Sequence, residues 1–166
     1  MDWIKSQDGV EVIILSSQFA IVNGRDIVTE YGQINKLVNN MRVQSALIET
    51  VNKIRALGVL VIIVSPTPYS SRNNGLCLAR AELFGEMSKI CDFPLDDDSI
   101  SFAFLRSVNE HIPIYWLTDA MCTRGICDTA RGDIFLYRDG MHLSKEGSAH
   151  LGKIFHWMEQ FRAIAR

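Results

Sequence analysis

Three stretches of the chain are almost continuously apolar rather than alternating: "VEVIILSS" (10–17), "VLVIIVSP" (59–66) and "IPIYWLT" (112–118). Strands of this kind are buried on both faces, as in a parallel sheet covered by helices. Between the first two, Val43, Leu47, Val51, Ile54 and Leu57 recur at three- and four-residue steps. This predicts a helix over 36–57 that Gly58 ends. Strand, helix, strand is the right-handed parallel unit. A second helix is predicted over 77–92 and a third within "PLDDDSISFAFLRSVNE", ahead of the third strand. A closing helix is capped by Ser144 and carries Leu151, Ile154, Phe155, Met158 and Phe161 on one face. The alternating order predicts an α/β fold, a three-layer α/β/α sandwich with a mainly parallel sheet, in a single domain over 1–166. No repeat, low-complexity tract or linker divides it.

The pattern is abrupt at its start. "MDWIK" reads as the tail of a helix, because Trp3 and Ile4 have nothing local to pack on, and the first strand follows almost at once. The fold is therefore expected to begin incomplete, without an earlier strand. Part of the crevice outside the carboxyl ends of the strands is expected to be absent with it. A sheet edge exposed in this way offers a route to a homodimer.

Composition narrows the class. With 48% apolar and 22% charged residues the chain can bury a sizeable core. The net charge of -2, with no Lys/Arg run, argues against nucleic acid as a partner. The longest apolar runs fall short of the roughly 18 to 20 residues that cross a bilayer. The N-terminus lacks the basic-then-apolar pattern of a signal peptide, which by itself points to the cytoplasm. Cys77, Cys91, Cys122 and Cys127 lie in polar, loop-like segments, whereas unpaired cysteines are usually found in cores. Disulfides are expected between Cys122 and Cys127, across "CTRGIC", and between Cys77 and Cys91, provided the compartment is oxidising. A zinc site is less well supported, because the spacing is not the usual two-residue gap and no histidine pair stands nearby.

The chemistry concentrates in "LYRDGMHLSKEG" (136–147), where Asp139 stands three residues before His142. A histidine acting as general base needs an acceptor that fixes its tautomer and stabilises the imidazolium it becomes. Asp139 can serve as that acceptor on a turn made tight by Gly140. The spacing alone also fits a plain turn beside a surface histidine. His111, His150 and His156 lack any such partner pattern and read as structural, and Trp3, Trp116 and Trp157 read as packing residues.

The wider segment "LYRDGMHLSKEGSAHLG" resembles the last sequence block of the SGNH, or GDSL, hydrolase superfamily. There an apolar strand leads to D-x-x-H-L-S-x-x-G and a closing helix. More narrowly, "CTRGICDTARGDIFLYRDGMHLSKEGSAHLG" is similar to the extracytoplasmic SGNH domain fused to bacterial membrane acyltransferases that acetylate surface polysaccharides. "VEVIILSSQFAIV" resembles that subfamily's strand ending in Leu-small-small-Arg-Trp. "VIIVSPTPYSSRNNGLCLAR" resembles its strand, proline loop and cysteine-bearing helix, so the likeness runs from about residue 10 to about 155.

The resemblance implies a serine nucleophile on a Gly-Asp-Ser turn, with Asp139 as orienter and His142 as base, and neither cofactor nor metal. It also implies an acyl donor delivered by a membrane acyltransferase domain, a surface-glycan acceptor and a periplasmic or other extracytoplasmic location. Two departures stand out. The only Gly-Asp, Gly132-Asp133, is followed by Ile134, so the nucleophile block is missing, in agreement with the abrupt start. Gln18 stands at the comparable position for a side-chain oxyanion donor, where the subfamily has arginine. Ser16, Ser17 and Ser65 end apolar strands without a glycine-flanked turn, and Ser144 is needed as a cap, so none is expected to replace the nucleophile. The reading is an O-acetyltransferase or esterase domain. The alternative is a non-catalytic domain that binds a glycan or partner, or an inactive shortened product.

Overall fold

The computed structural model describes residues 2–17, 19, 27–28, 34–35 and 40–166. They form two compact units.

The first unit comprises residues 1–66, 98–115 and 161–166. After a short helix α1 (Asp2–Lys5) and strand β1 (Val12–Ser16), β2 (Ile27–Val28) and β3 (Ile34–Asn35) pair antiparallel. Helix α2 (Asn40–Arg55), strand β4 (Leu60–Val64), helix α4 (Ile100–Val108) and strand β6 (Ile114–Tyr115) complete the unit's main elements. The sheet order is β1-β4-β6 and all pairings are parallel, with register running from Val12↔Leu60 to Ser16↔Val64. Val61, Ile62 and Ile63 of the central strand are fully buried, which is why that run shows no alternation. Among the described residues β1 pairs with β4 alone, and its Ile14 is exposed. The expected strand-helix-strand unit is therefore present. Val51 and Ile54 of α2 join the core together with Phe102, Leu105 and Val108 of α4. Tyr115 meets Phe161 edge-on at 5.0 Å, and Arg55 donates to the His111 carbonyl at 3.0 Å.

The third apolar run behaves differently from its prediction. Only Ile114–Tyr115 pairs as a strand, and from Leu117 the chain is helical. A short buried run cannot be assigned by periodicity alone, and the residues after Trp116 bury Leu117, Ala120 and Met121 on one helix face instead.

The second unit comprises residues 67–97 and 116–160. Helix α3 (Asn74–Leu83) is capped by Asn73, whose side chain accepts from the Leu76 amide at 2.9 Å. The helix predicted over 77–92 thus starts earlier and stops at Leu83, and the chain returns as a 3-10 turn (Ser88–Cys91). The cause of the break is local: Gly85 adopts φ +67°, which an α-helix cannot continue. Strand β5 (Phe93–Pro94) pairs with β8 (Ile126–Cys127), which also pairs with β7 (Cys122–Thr123) after helix α5 (Leu117–Met121). β9 (Ala130–Arg131) and β10 (Ile134–Phe135) form a second hairpin. Both expected disulfides are present. Cys77–Cys91 ties α3 to the 3-10 turn, and Cys122–Cys127 joins directly opposed residues of β7 and β8. Arg124 and Gly125, with φ +53° and +78°, make the tight turn between these two strands.

Helix α6 (Lys145–Ile154) begins at its predicted cap, Ser144, but the closing helix is not continuous. It breaks at Phe155–His156, where His156 has φ +47°, and α7 (Trp157–Ala165) follows. The single apolar face is consequently divided: Leu151 and Phe161 are buried, while Ile154 and Met158 are exposed. Among the described residues no helix is long and apolar enough to cross a membrane.

Candidate active site

The site grows out of the buried pair Leu136 and Tyr137, which anchors the segment entering it. The Tyr137 hydroxyl donates to the Pro68 carbonyl at 2.9 Å, and burial holds its phenol well above the ordinary tyrosine range, so it remains a donor. Tyr137 and Leu143 form an isolated antiparallel bridge, and the Arg138 amide donates to the His142 carbonyl at 2.9 Å. Residues 138–142 therefore form a small loop closed at its base.

Within this loop one carboxylate has two tasks. Asp139 Oδ1 accepts from the Met141 and His142 amides at 2.9 and 2.8 Å, and Oδ2 stands 2.9 Å from His142 Nδ1. The three-residue spacing follows from this, since the carboxylate that caps the turn also reaches the ring. The Met141 amide, then the His142 ring and amide, hold the Asp139 carboxyl well below the usual carboxylate range. Arg138 adds an exposed ion pair at 3.6 Å. An ionised carboxylate only accepts hydrogen bonds, so Nδ1 carries the proton of neutral His142 and Nε2 keeps its lone pair. That is the tautomer a general base requires.

A carboxyl whose folded value is depressed contributes its stabilisation above the unfolded value, about pH 3.9, and loses it as pH falls further. Accordingly, a carbon-detected NMR titration is expected to show no protonation step of the Asp139 carboxyl itself above about pH 4. A carboxyl protonation step there would show that the carboxylate is not held by these donors.

Ser144 is fully engaged on the far side of the loop. Its amide donates to the Leu136 carbonyl at 2.8 Å, and its hydroxyl donates to the Phe135 carbonyl while accepting from the Gly147 amide at 2.8 Å. Gly140 is required for a reason other than turn flexibility. A Cβ there would stand 2.5 Å from the Ser70 carbonyl oxygen and 2.9 Å from that of Arg72. The loop after β4 thus lies directly on the Asp-His turn, held by hydrogen bonds from the Ser70 amide to the Gly140 carbonyl (2.9 Å) and from the Thr67 hydroxyl to the Met141 carbonyl. Tyr69, Ser71 and Asn73 of this loop line, with His142 and Asp139, a shallow depression of about 370 Å³. Sequence reasoning assigned these residues no role. Their signal was the glycine of "RDGMH", which marks close backbone approach as readily as a turn.

Of the residues singled out from sequence, Asp139 and His142 are brought together. Gln18 lies outside the described residues. Ser65 is buried and engaged at its strand end, its amide donating to the Tyr115 carbonyl at 3.0 Å and its hydroxyl to the Pro66 carbonyl at 3.1 Å. Ser16 and Ser17 are exposed at the end of β1. Among the described residues no group of three or more His, Cys, Asp or Glu is placed to hold a metal ion.

No curated protein matches the chain. Among solved structures, the periplasmic domain of a lipopolysaccharide acetyltransferase from Salmonella ser. Paratyphi A superposes with a TM-score of 0.58 at 21% identity. The match covers 89% of this chain and 56% of that one, so the chain spans little more than half the length of its structural neighbour. At this identity the likeness is one of fold, a mixed α/β architecture with a parallel sheet. The sequence model of the SGNH domain fused to AT3 domains matches residues 1–156, nearly the whole chain, and the chain belongs to that family.

Proposed function

We propose that this chain is the acid-base part of an O-acyl transfer site acting at the cell surface. In this reading His142 is the general base and Asp139 its orienter. The nucleophilic serine comes from outside the 166 residues, which contain no Gly-Asp-Ser. The acyl group is delivered by a membrane acyltransferase domain, in keeping with a family fused to AT3 domains, and the acceptor is a surface glycan on the periplasmic side. In the transfer, Nε2 takes the hydroxyl proton as the hydroxyl oxygen adds to the acyl carbonyl carbon. The proton then passes to the departing group as the carbon to leaving-group bond breaks.

The observation that carries the reading is the Nδ1 to Oδ2 contact of 2.9 Å with Asp139 ionised, which orients the ring so that in its neutral form the Nδ1–H faces the carboxylate and Nε2 is the basic nitrogen. In the isolated chain water takes the place of the serine, so slow hydrolysis of p-nitrophenyl acetate is expected. Asp139→Asn should slow it several-fold, because the amide can no longer hold the Nδ1–H tautomer as a charged acceptor does. Equal rates for the two proteins would remove the paired-residue chemistry. The lack of a Gly-Asp-Ser turn favours a second reading, a domain that binds glycan without transfer. Saccharide binding with no hydrolysis above buffer would decide for it.

A further inference from the structure

The loop that covers the Asp-His turn is itself held from behind by one side chain. The Arg72 guanidinium reaches the backbone carbonyls at the end of the 3-10 turn: Nη2 to Cys91 O at 2.6 Å and to Asp92 O at 3.4 Å, and Nη1 to Ile90 O at 3.4 Å. These acceptors are on a rigid footing. Cys91 is fully buried and disulfide-bonded to Cys77 of α3. Asp92 Oδ1 accepts from the amide and hydroxyl of buried Thr129 at 2.9 and 3.0 Å, and the Thr129 carbonyl accepts from the Leu136 amide at 2.8 Å. The same framework thus holds Arg72 and the segment leading to Asp139.

On its other side, the Arg72 backbone carbonyl lies against Gly140, and the Arg72 amide donates to the Ser70 hydroxyl at 3.2 Å. A planar fork that satisfies several carbonyls at once fixes the loop backbone in a way a single ammonium cannot. The dyad needs such fixing. His142 and Asp139 side chains are 55% and 32% exposed, so water competes for the Nδ1–H bond unless the turn is held in place.

We infer that Arg72 is a positioning residue for the Asp139–His142 pair: its grip on the 90–92 carbonyls keeps the loop pressed on Gly140 and thereby keeps His142 in the Nδ1–H form. The inference rests on the general-base reading of His142, but its test uses no substrate. Long-range proton-nitrogen NMR spectra of the labelled full chain, at a pH where His142 is neutral, report the ratio of the two imidazole tautomers. The His142 signals are assigned by comparison with His142→Gln.

The wild-type chain is expected to show mainly the Nδ1–H tautomer. Arg72→Lys, which keeps the charge but offers a single donor centre, should lower its share relative to the Nε2–H form at least twofold, and Arg72→Gln should lower it further. Circular dichroism and cooperative melting identify which variants are folded. The same ratio in wild type and every folded variant would overturn the proposal; if Arg72→Gln fails to fold, Arg72→Lys with the wild-type ratio does so by itself. A wild-type chain with the Nδ1–H tautomer but no esterolysis would remove base-assisted attack by water in the isolated chain and leave the role of Arg72 standing.

Discussion

His142→Ala is expected to bring the chain's hydrolysis of p-nitrophenyl acetate down to the rate of buffer alone, with the fold unchanged. Nε2 is the atom through which the dyad acts on water, and alanine removes it while keeping the backbone amide that donates to Asp139 Oδ1 at 2.8 Å. The turn therefore survives the substitution. His142 is more than half exposed, and the Met141 and His142 backbone amides still hold Asp139 once the ring is gone, so the variant should keep a cooperative melting transition. A positioned base in a complete site contributes about 10²- to 10⁴-fold. With water as nucleophile in an exposed depression, the loss should lie at or below the lower end of that range. Added imidazole should restore part of the rate by supplying the missing base. Initial rates measured against protein concentration check all of this. An alanine variant as fast as wild type would place the activity elsewhere in the chain.

What could be read from sequence follows from how local each interaction is. The central strands announced themselves because β4 is buried on both faces, and the Asp-His pair was legible because both partners lie on one short turn closed by its own backbone. The cysteine pairs were legible for a similar reason, since the residues between them are few. The depression beside the dyad was not. Its second wall comes from residues 69–73, about 70 positions away, and the contact that joins them is backbone against glycine, which leaves no hydrophobic or charged pattern. The closing helix failed for another reason. Its apolar residues kept helical spacing across Phe155 and His156, but His156 adopts a positive φ, of which spacing carries no trace.

Gly75→Ala is expected to destabilise the chain by about 3 kcal/mol, the upper end of the usual cost of overpacking. Glycine 75 is the second residue of α3, and a Cβ there would lie 2.1 Å from the Arg138 carbonyl oxygen and 2.7 Å from its carbon. Both groups are backbone, so no side chain can swing aside. Nor can either segment retreat easily. The helix start is fixed by the Asn73 cap and, two residues on, by the Cys77–Cys91 disulfide. Arg138 is fixed by the hydrogen bond that its backbone amide donates to the His142 carbonyl at 2.9 Å. At about 2–4 °C per kcal/mol for a chain of this size, the melting temperature should fall by roughly 6–12 °C. The collision also reaches the chemistry, because Arg138 precedes Asp139 and any retreat of its carbonyl drags the carboxylate away from Nδ1. In the fraction that remains folded, esterolysis should therefore fall below wild type. A melting temperature within about 1 °C of wild type would show that α3 and the Asp-His turn are not packed backbone to backbone.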